Sequence, residues 1–250
     1  MANIINFIMN KLSPKKDEDS NEAKNNVRYL PRSLEVESIL EELSMNEDYE
    51  GMVKYCEERL KTNETCVLTW LDKGFALLEL DRLKEAIDAF NEAIKLNPSN
   101  PSGYLCKGTV LLNLDKIEEA IEHFDKALKI DDTYINAWVN KGNALIRAKY
   151  FLEAIHCFDK ALELESGLIE ARLSKGFALI NINLQAEAVQ CFDQVLKIDD
   201  SIEEAWTNKG LALLNLSNFS EALYCFNQAL KIDPDSQMAQ IGKEKAEESL

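Results

Sequence analysis

Residues 135–168 read INAWVNKGNALIRAKYFLEAIHCFDKALELESGL, and the following 34 residues read IEARLSKGFALININLQAEAVQCFDQVLKIDDSI. Laid one under the other, they share Lys141-Gly142 with Lys175-Gly176, Ala154 with Ala188, and Phe158 with Phe192. The Lys-Gly pair recurs as Lys73-Gly74, Lys107-Gly108 and Lys209-Gly210, always 34 residues from the next. A period of that size belongs to stacked supersecondary units, each burying its apolar face against its neighbours. Function is then sought on an extended surface rather than in a catalytic pocket.

Numbering each unit so that the glycine is position 8 gives five full repeats: 67–100, 101–134, 135–168, 169–202 and 203–236. Position 20 is alanine throughout (Ala86, Ala120, Ala154, Ala188, Ala222), and position 24 is phenylalanine (Phe90, Phe124, Phe158, Phe192, Phe226). Position 4 is Trp70, Tyr104, Trp138, Arg172 and Trp206; position 11 is always leucine. Positions 4, 8 and 11 share one face of a first helix, and 20, 24 and 27 share one face of a second. Glycine and alanine remove bulk so that the two helices approach closely, and the aromatic residues fill the space around that contact. Asn100 before Pro101 reads as a helix cap, and Asp132, Ser166, Asp200 and Ser236 at equivalent junctions are expected to cap the helices that follow.

This pattern resembles the tetratricopeptide repeat: an aromatic at 4, glycine at 8, alanine at 20, an aromatic at 24, alanine at 27 and proline at 32 in Pro98 and Pro234. The resemblance covers 67–236 and implies an all-α fold, a right-handed superhelical solenoid of stacked antiparallel helix pairs. One departure stands out: position 7, usually apolar in the family, is lysine five times. On a helical wheel it falls on the buried side. Those lysines are read as stems whose ammonium groups reach an acid at position 25 (Asp125, Asp159, Asp193) or at position 31 of the preceding unit. The alternative is a basic stripe for an acidic ligand.

The same register extends weakly over 33–66, read as a degenerate N-terminal capping repeat, while 237–250 is expected to form a polar C-terminal capping helix. Residues 1–32 are read as an apolar stretch, Met1–Leu12, followed by a solvated linker. They carry net +2 against net -7 for 33–66, within a total of -16. Such an acidic balance excludes nucleic acid as the main partner. It favours basic or apolar protein segments. No stretch approaches the ~20 apolar residues of a membrane helix. Six cysteines without a secretory signal point to a reducing compartment, the cytoplasm.

No catalytic residue, metal ligand or cofactor site is expected. The two histidines, His123 and His156, lack metal or triad spacing. His123 shares position 23 with Cys157, Cys191 and Cys225, but equivalent positions on stacked helices lie roughly 8–10 Å or more apart. That is too far for a disulfide or a shared zinc ion, so the column is assigned to core packing. Each carboxylate has a helix-surface or capping explanation, and no glycine-rich phosphate loop is present.

The informative surface is the opposite face of the first helices, which in the family lines the concave side and holds partner segments. Positions 5 and 9 supply Leu71, Phe75, Leu105, Thr109, Val139, Asn143, Leu173, Phe177, Thr207 and Leu211. Arg147 at position 13, with Asn140 and Asn208 at position 6, completes the candidate partner-binding set. Apolar residues at both 5 and 9 exceed what stacking requires, and contiguous exposed apolar surface marks a binding site. Amide side chains can pair with a peptide backbone. Some family members clamp the C-terminal carboxylate tails of chaperones with basic residues at positions 2, 5 and 6. Here those places hold residues such as Leu68, Leu71, Asp72 and Leu105, so that ligand is not expected. The expected function is a non-catalytic scaffold or adaptor taking a helix or extended segment of a partner. The alternative is a membrane-associated assembly subunit anchored through Met1–Leu12.

Overall fold

The computed structural model describes residues 34–63 and 66–250. The Met1–Leu12 segment and the linker after it lie outside them. Among the described residues there are thirteen α-helices and no strand. In chain order they are α1 Leu34–Met45, α2 Tyr49–Thr62, α3 Val67–Glu79, α4 Leu83–Leu96, α5 Pro101–Asn113, α6 Ile117–Ile130 and α7 Ile135–Arg147. They continue with α8 Phe151–Leu164, α9 Ile169–Asn181, α10 Gln185–Ile198, α11 Glu203–Asn215, α12 Phe219–Ile232 and α13 Gln237–Glu248. The chain divides into two compact units, 1–106 and 107–250, with the boundary inside α5. Within each unit consecutive helices form antiparallel pairs, the all-α repeat fold expected from the columns.

The repeated contact is a ring seated on a glycine. Phe90, Phe124, Phe158, Phe192 and Phe226 are fully buried, as are the five alanines at position 20. A Cβ added to Gly74, Gly108, Gly142, Gly176 or Gly210 would stand 2.5–2.7 Å from the paired ring, closer than any real contact. The glycine therefore lets the first helix lie directly on the phenylalanine of the second. Dense packing of this kind is intolerant of an added methyl group. In unit two, Phe158, Phe192 and Phe226 each anchor a separate small core, as a quasi-one-dimensional stack requires.

Each pair turns at the same residue. Position 15 takes a left-handed conformation in all six pairs: Glu47, Asp81, Asp115, Lys149, Asn183 and Ser217, with φ between 55° and 63°. The following amide then reaches back to the position-11 carbonyl, as in Tyr150 N–H to Leu145 O at 2.8 Å and Asn218 N–H to Leu213 O at 2.9 Å. This is the helix-ending motif that glycine usually serves. None of the six is glycine.

The caps depart from expectation. Asn100 Oδ1 accepts from Ser102 N–H at 2.9 Å, and Ser236 caps α13 through Ala239 N–H. Asp132, Ser166 and Asp200 do not cap. The helices begin two residues later, with Tyr134, Leu168 and Ile202 at the cap position and no side-chain bond. The preceding acid closes the loop instead. Asp131 Oδ1 accepts from Thr133 N–H at 2.9 Å, and Asp199 Oδ1 from Ser201 N–H at 2.9 Å. An aspartate bonding the amide two residues on closes a local turn of its own, and the helix starts after it.

Helix α13 continues the repeat register as a first helix. Ala239 and Ala246 stand at positions 3 and 10, where Ala137 and Ala144 stand in α7, and all four are fully buried. A Cβ added to Gly242 would stand 2.4 Å from the Phe226 ring, the ring that Gly210 also meets.

Candidate functional site

Unit one and unit two treat the candidate face differently. In unit one, Leu71 on α3 is buried, and Phe75 is 8% exposed with Tyr49 edge-on against it at 6.4 Å. Leu105 on α5 has no exposed surface. In unit two, Thr109, Asn140, Asn143, Leu173 and Leu211 are half-buried, and Phe177 on α9 is 41% exposed. Val139, Thr207 and Asn208 are buried. Leu173 and Phe177 stand one turn apart on α9, and Leu211 holds the same column as Phe177 on α11. Leu71, Phe75, Leu105 and Val139 lie in the packing.

The polar candidates are engaged in the scaffold. Arg147 donates to the Leu112 carbonyl and to Asp115 Oδ1, both at 2.8 Å, tying one turn to the next helix pair. Asn143 Nδ2 donates to Glu170 Oε1 at 3.1 Å. Thr207 Oγ1 donates to Glu203 Oε1 at 2.6 Å, and the same oxygen accepts from Ser236 Oγ at 2.7 Å, joining α11 to the start of α13. What remains charged and exposed at position 2 is Glu170 on α9 and Glu204 on α11.

The position-7 lysines are stitches between repeats. Lys141 Nζ lies 2.6 Å from Asp125, Lys175 2.5 Å from Asp159 and Lys209 2.6 Å from Asp193. In unit one Lys73 meets Glu57 at 2.9 Å in the same register. Each acid is at position 25 of the preceding pair, one of the two partners foreseen. Where position 4 is tryptophan, the ammonium also lies 5.6–5.9 Å from the ring centroid. Burial alone would lower the Lys209 pKa. The Asp193 hydrogen bond and the nearby Cys225, Asp193 and Glu221 outweigh it, and the value is raised.

Arg172, the one non-aromatic residue at position 4, keeps an aromatic's contact. Trp138 Nε1 donates to Asp132 O and Trp206 Nε1 to Asp200 O, both at 2.8 Å. The Arg172 guanidinium donates to Ser166 O, the equivalent carbonyl. A planar N–H donor replaces the indole at the same junction.

All six cysteines are free. Burial pushes the Cys157 and Cys225 thiols up to about 11 and the Cys106 thiol to about 12. Such groups stay protonated and unreactive near neutral pH. Among the described residues, no three of histidine, cysteine, aspartate and glutamate come together as metal ligands. None of their helices is long and apolar enough to cross a membrane.

Models of the tetratricopeptide repeat match residues 67–100, 89–122, 135–168, 169–202 and 203–236. No curated protein matches the sequence. Among solved structures, the type IV pilus biogenesis factor PilW aligns with a TM-score of 0.73 at 20% identity, over 82% of this chain and 94% of its own. YrrB, a repeat protein with an unusual peptide-binding site, aligns at 0.66 and 24% identity, over 76% and 97%. MamA of Desulfovibrio magneticus RS-1 aligns at 0.64 and 16%, over 68% and 97%. At these identities the likeness is one of fold.

Proposed function

The chain belongs to the tetratricopeptide repeat family, and from that premise we propose that it is a non-catalytic protein-interaction scaffold that holds a segment of a partner protein on the inner face of unit two. The observation that carries this reading is Phe177, a large ring left 41% exposed at position 9 of a first helix. Among the described phenylalanines only Phe177 is exposed, and aromatic residues dominate the energetics of interfaces. Half-buried Leu173 and Leu211 widen the apolar surface, and Asn140 offers an amide group.

The partner is an apolar or amphipathic segment carrying basic residues. Glu170 and Glu204 are exposed at the rim, whereas Arg147 is already held by Asp115. Like charge at the rim would repel an acidic chain. YrrB's peptide-binding site is consistent with this use of the fold. The free thiols suit a cytoplasmic location.

Affinity capture with quantitative mass spectrometry tests the proposal. Phe177→Asp should lose the proteins that the unaltered chain captures, with far-UV helicity unchanged. An identical captured set from that variant would refute the inner-face reading.

A further inference from the structure

The inner face of unit one is closed over more than its phenylalanine. At position 6, Asp72 on α3 is 2% exposed and Cys106 on α5 is 8% exposed. In the same column of unit two, Asn140 and Ser174 are half-buried, and Asn208 is buried in the pair on which α13 packs. At position 2, Ser102 is buried, whereas Asn136 is half-buried and Glu170 and Glu204 are exposed. The pairs of both units are built alike, with the same ring on the same glycine and the same lysine stitch. The difference therefore calls for something laid over the face of unit one. Tyr49 stands against Phe75, but Ser102, Leu105 and Cys106 belong to the next first helix. Asp72 and Asn140 have nearly the same shape, yet the charged one is the more buried. Burying a carboxylate costs more than burying an amide, and a cover that brings positive charge offsets that cost.

The chain itself supplies such a cover. Met1–Leu12, outside the described residues, repeats Ile4, Ile8 and Leu12 at a spacing of four, with Ile5 and Phe7 beside them. That is the apolar period of an amphipathic helix. The first sixteen residues hold three lysines and no acid, whereas 33–66 carry net -7. Residues 13–33 join this segment to α1. A coil of that length spans roughly 25 Å, and packed helices are spaced by roughly 10 Å, so the tether reaches α3 and α5. We infer that Met1–Leu12 is seated on the inner face of unit one, its apolar stripe over Leu71 and Leu105 and its lysines towards Asp72 and Glu79. Unit one is then filled by its own chain, and the open face of unit two is left for another protein. The inference stands apart from the Phe177 surface, and neither depends on the other.

Cys106 is a built-in reporter of the closed face. Burial, and after it the Asp72 carboxylate, push its thiol up to about 12, so uncovering it both exposes the sulfur and favours the reactive thiolate. The test follows N-ethylmaleimide labelling of the full chain, resolved by peptide mass spectrometry. Phe7→Asp with Ile8→Asp should speed labelling of Cys106 about tenfold or more, with far-UV helicity unchanged. Cys157 and Cys225, in separate cores of unit two, should stay as slow as in the unaltered chain. Lys11→Glu should speed Cys106 by a smaller factor. Equal Cys106 rates in the unaltered chain and the double variant overturn the seating. Equal acceleration of all three cysteines means that the whole stack has loosened, and overturns it too. If the unaltered chain sediments as a dimer that the double variant converts to monomer, the segment sits on a second copy and not on its own face. If the unaltered chain floats with phosphatidylglycerol vesicles and the double variant does not, with Cys106 equally slow in both, the segment belongs to a lipid surface and the seating is wrong.

Discussion

Phe75 and Phe177 hold the same repeat position, yet one is 8% exposed and the other 41%. Both follow a Lys-Gly pair on a first helix, and both descend from the same column of the sequence. In unit one the Tyr49 ring closes over Phe75. In unit two the Phe177 ring is exposed, and Leu173, one turn before it, is half-buried. The lesson is that a repeat position defines a direction, not an exposure. Whether a side chain in that direction is core or surface depends on what the adjoining pair happens to place above it.

The difference can be broken or sharpened by substitution. The largest effects should be the same in both units, because the ring-on-glycine contact is the same. Phe90→Ala and Phe158→Ala should each cost about 3–5 kcal/mol, read from urea denaturation followed by circular dichroism. A markedly smaller cost in one unit would mean that the units are not built alike. The inner-face pair should then diverge. Phe75→Ala removes a buried ring and should cost about 3 kcal/mol or more, whereas Phe177→Ala should fall within about 1 kcal/mol. Equal costs would erase the contrast on which the candidate site depends. Smallest and again shared are the turns. Glu47→Gly and Lys149→Gly relieve left-handed conformations at φ 55° and 63° and should each raise stability by up to about 1 kcal/mol. A loss of stability at either would show that the side chain, not the backbone, holds that turn.

Much of the scaffold was legible because it is encoded locally. The columns at 4, 8, 20 and 24 name the faces that must be buried. The lysine at position 7 needs an acid within reach of its stem, and position 25 of the preceding pair offers one to four of the five; before Lys107 that place is Asn91. The loop chemistry was less legible. Asp132 and Asp200 carry the right atoms to cap a helix, but Asp131 and Asp199 bond two residues on while the helices start after Tyr134 and Ile202. Arg172 broke the aromatic column on paper, yet its guanidinium serves the same carbonyl. Residues 237–250 read as a polar cap, yet Met238 and Ile241 stand exposed on α13. The alanine register of Ala239 and Ala246 is what makes α13 one more first helix.

Residue order alone dictates the helix pairs, their period and the ring that each glycine receives, since those contacts join residues at most 34 apart and repeat five times. Packing between separate pairs decided which residues of the position-9 column stay open: Phe75 is closed under Tyr49, whereas Phe177 is 41% exposed. Helical periodicity orients a side chain through its own backbone, but solvent reaches it only where no neighbouring helix stands in the way.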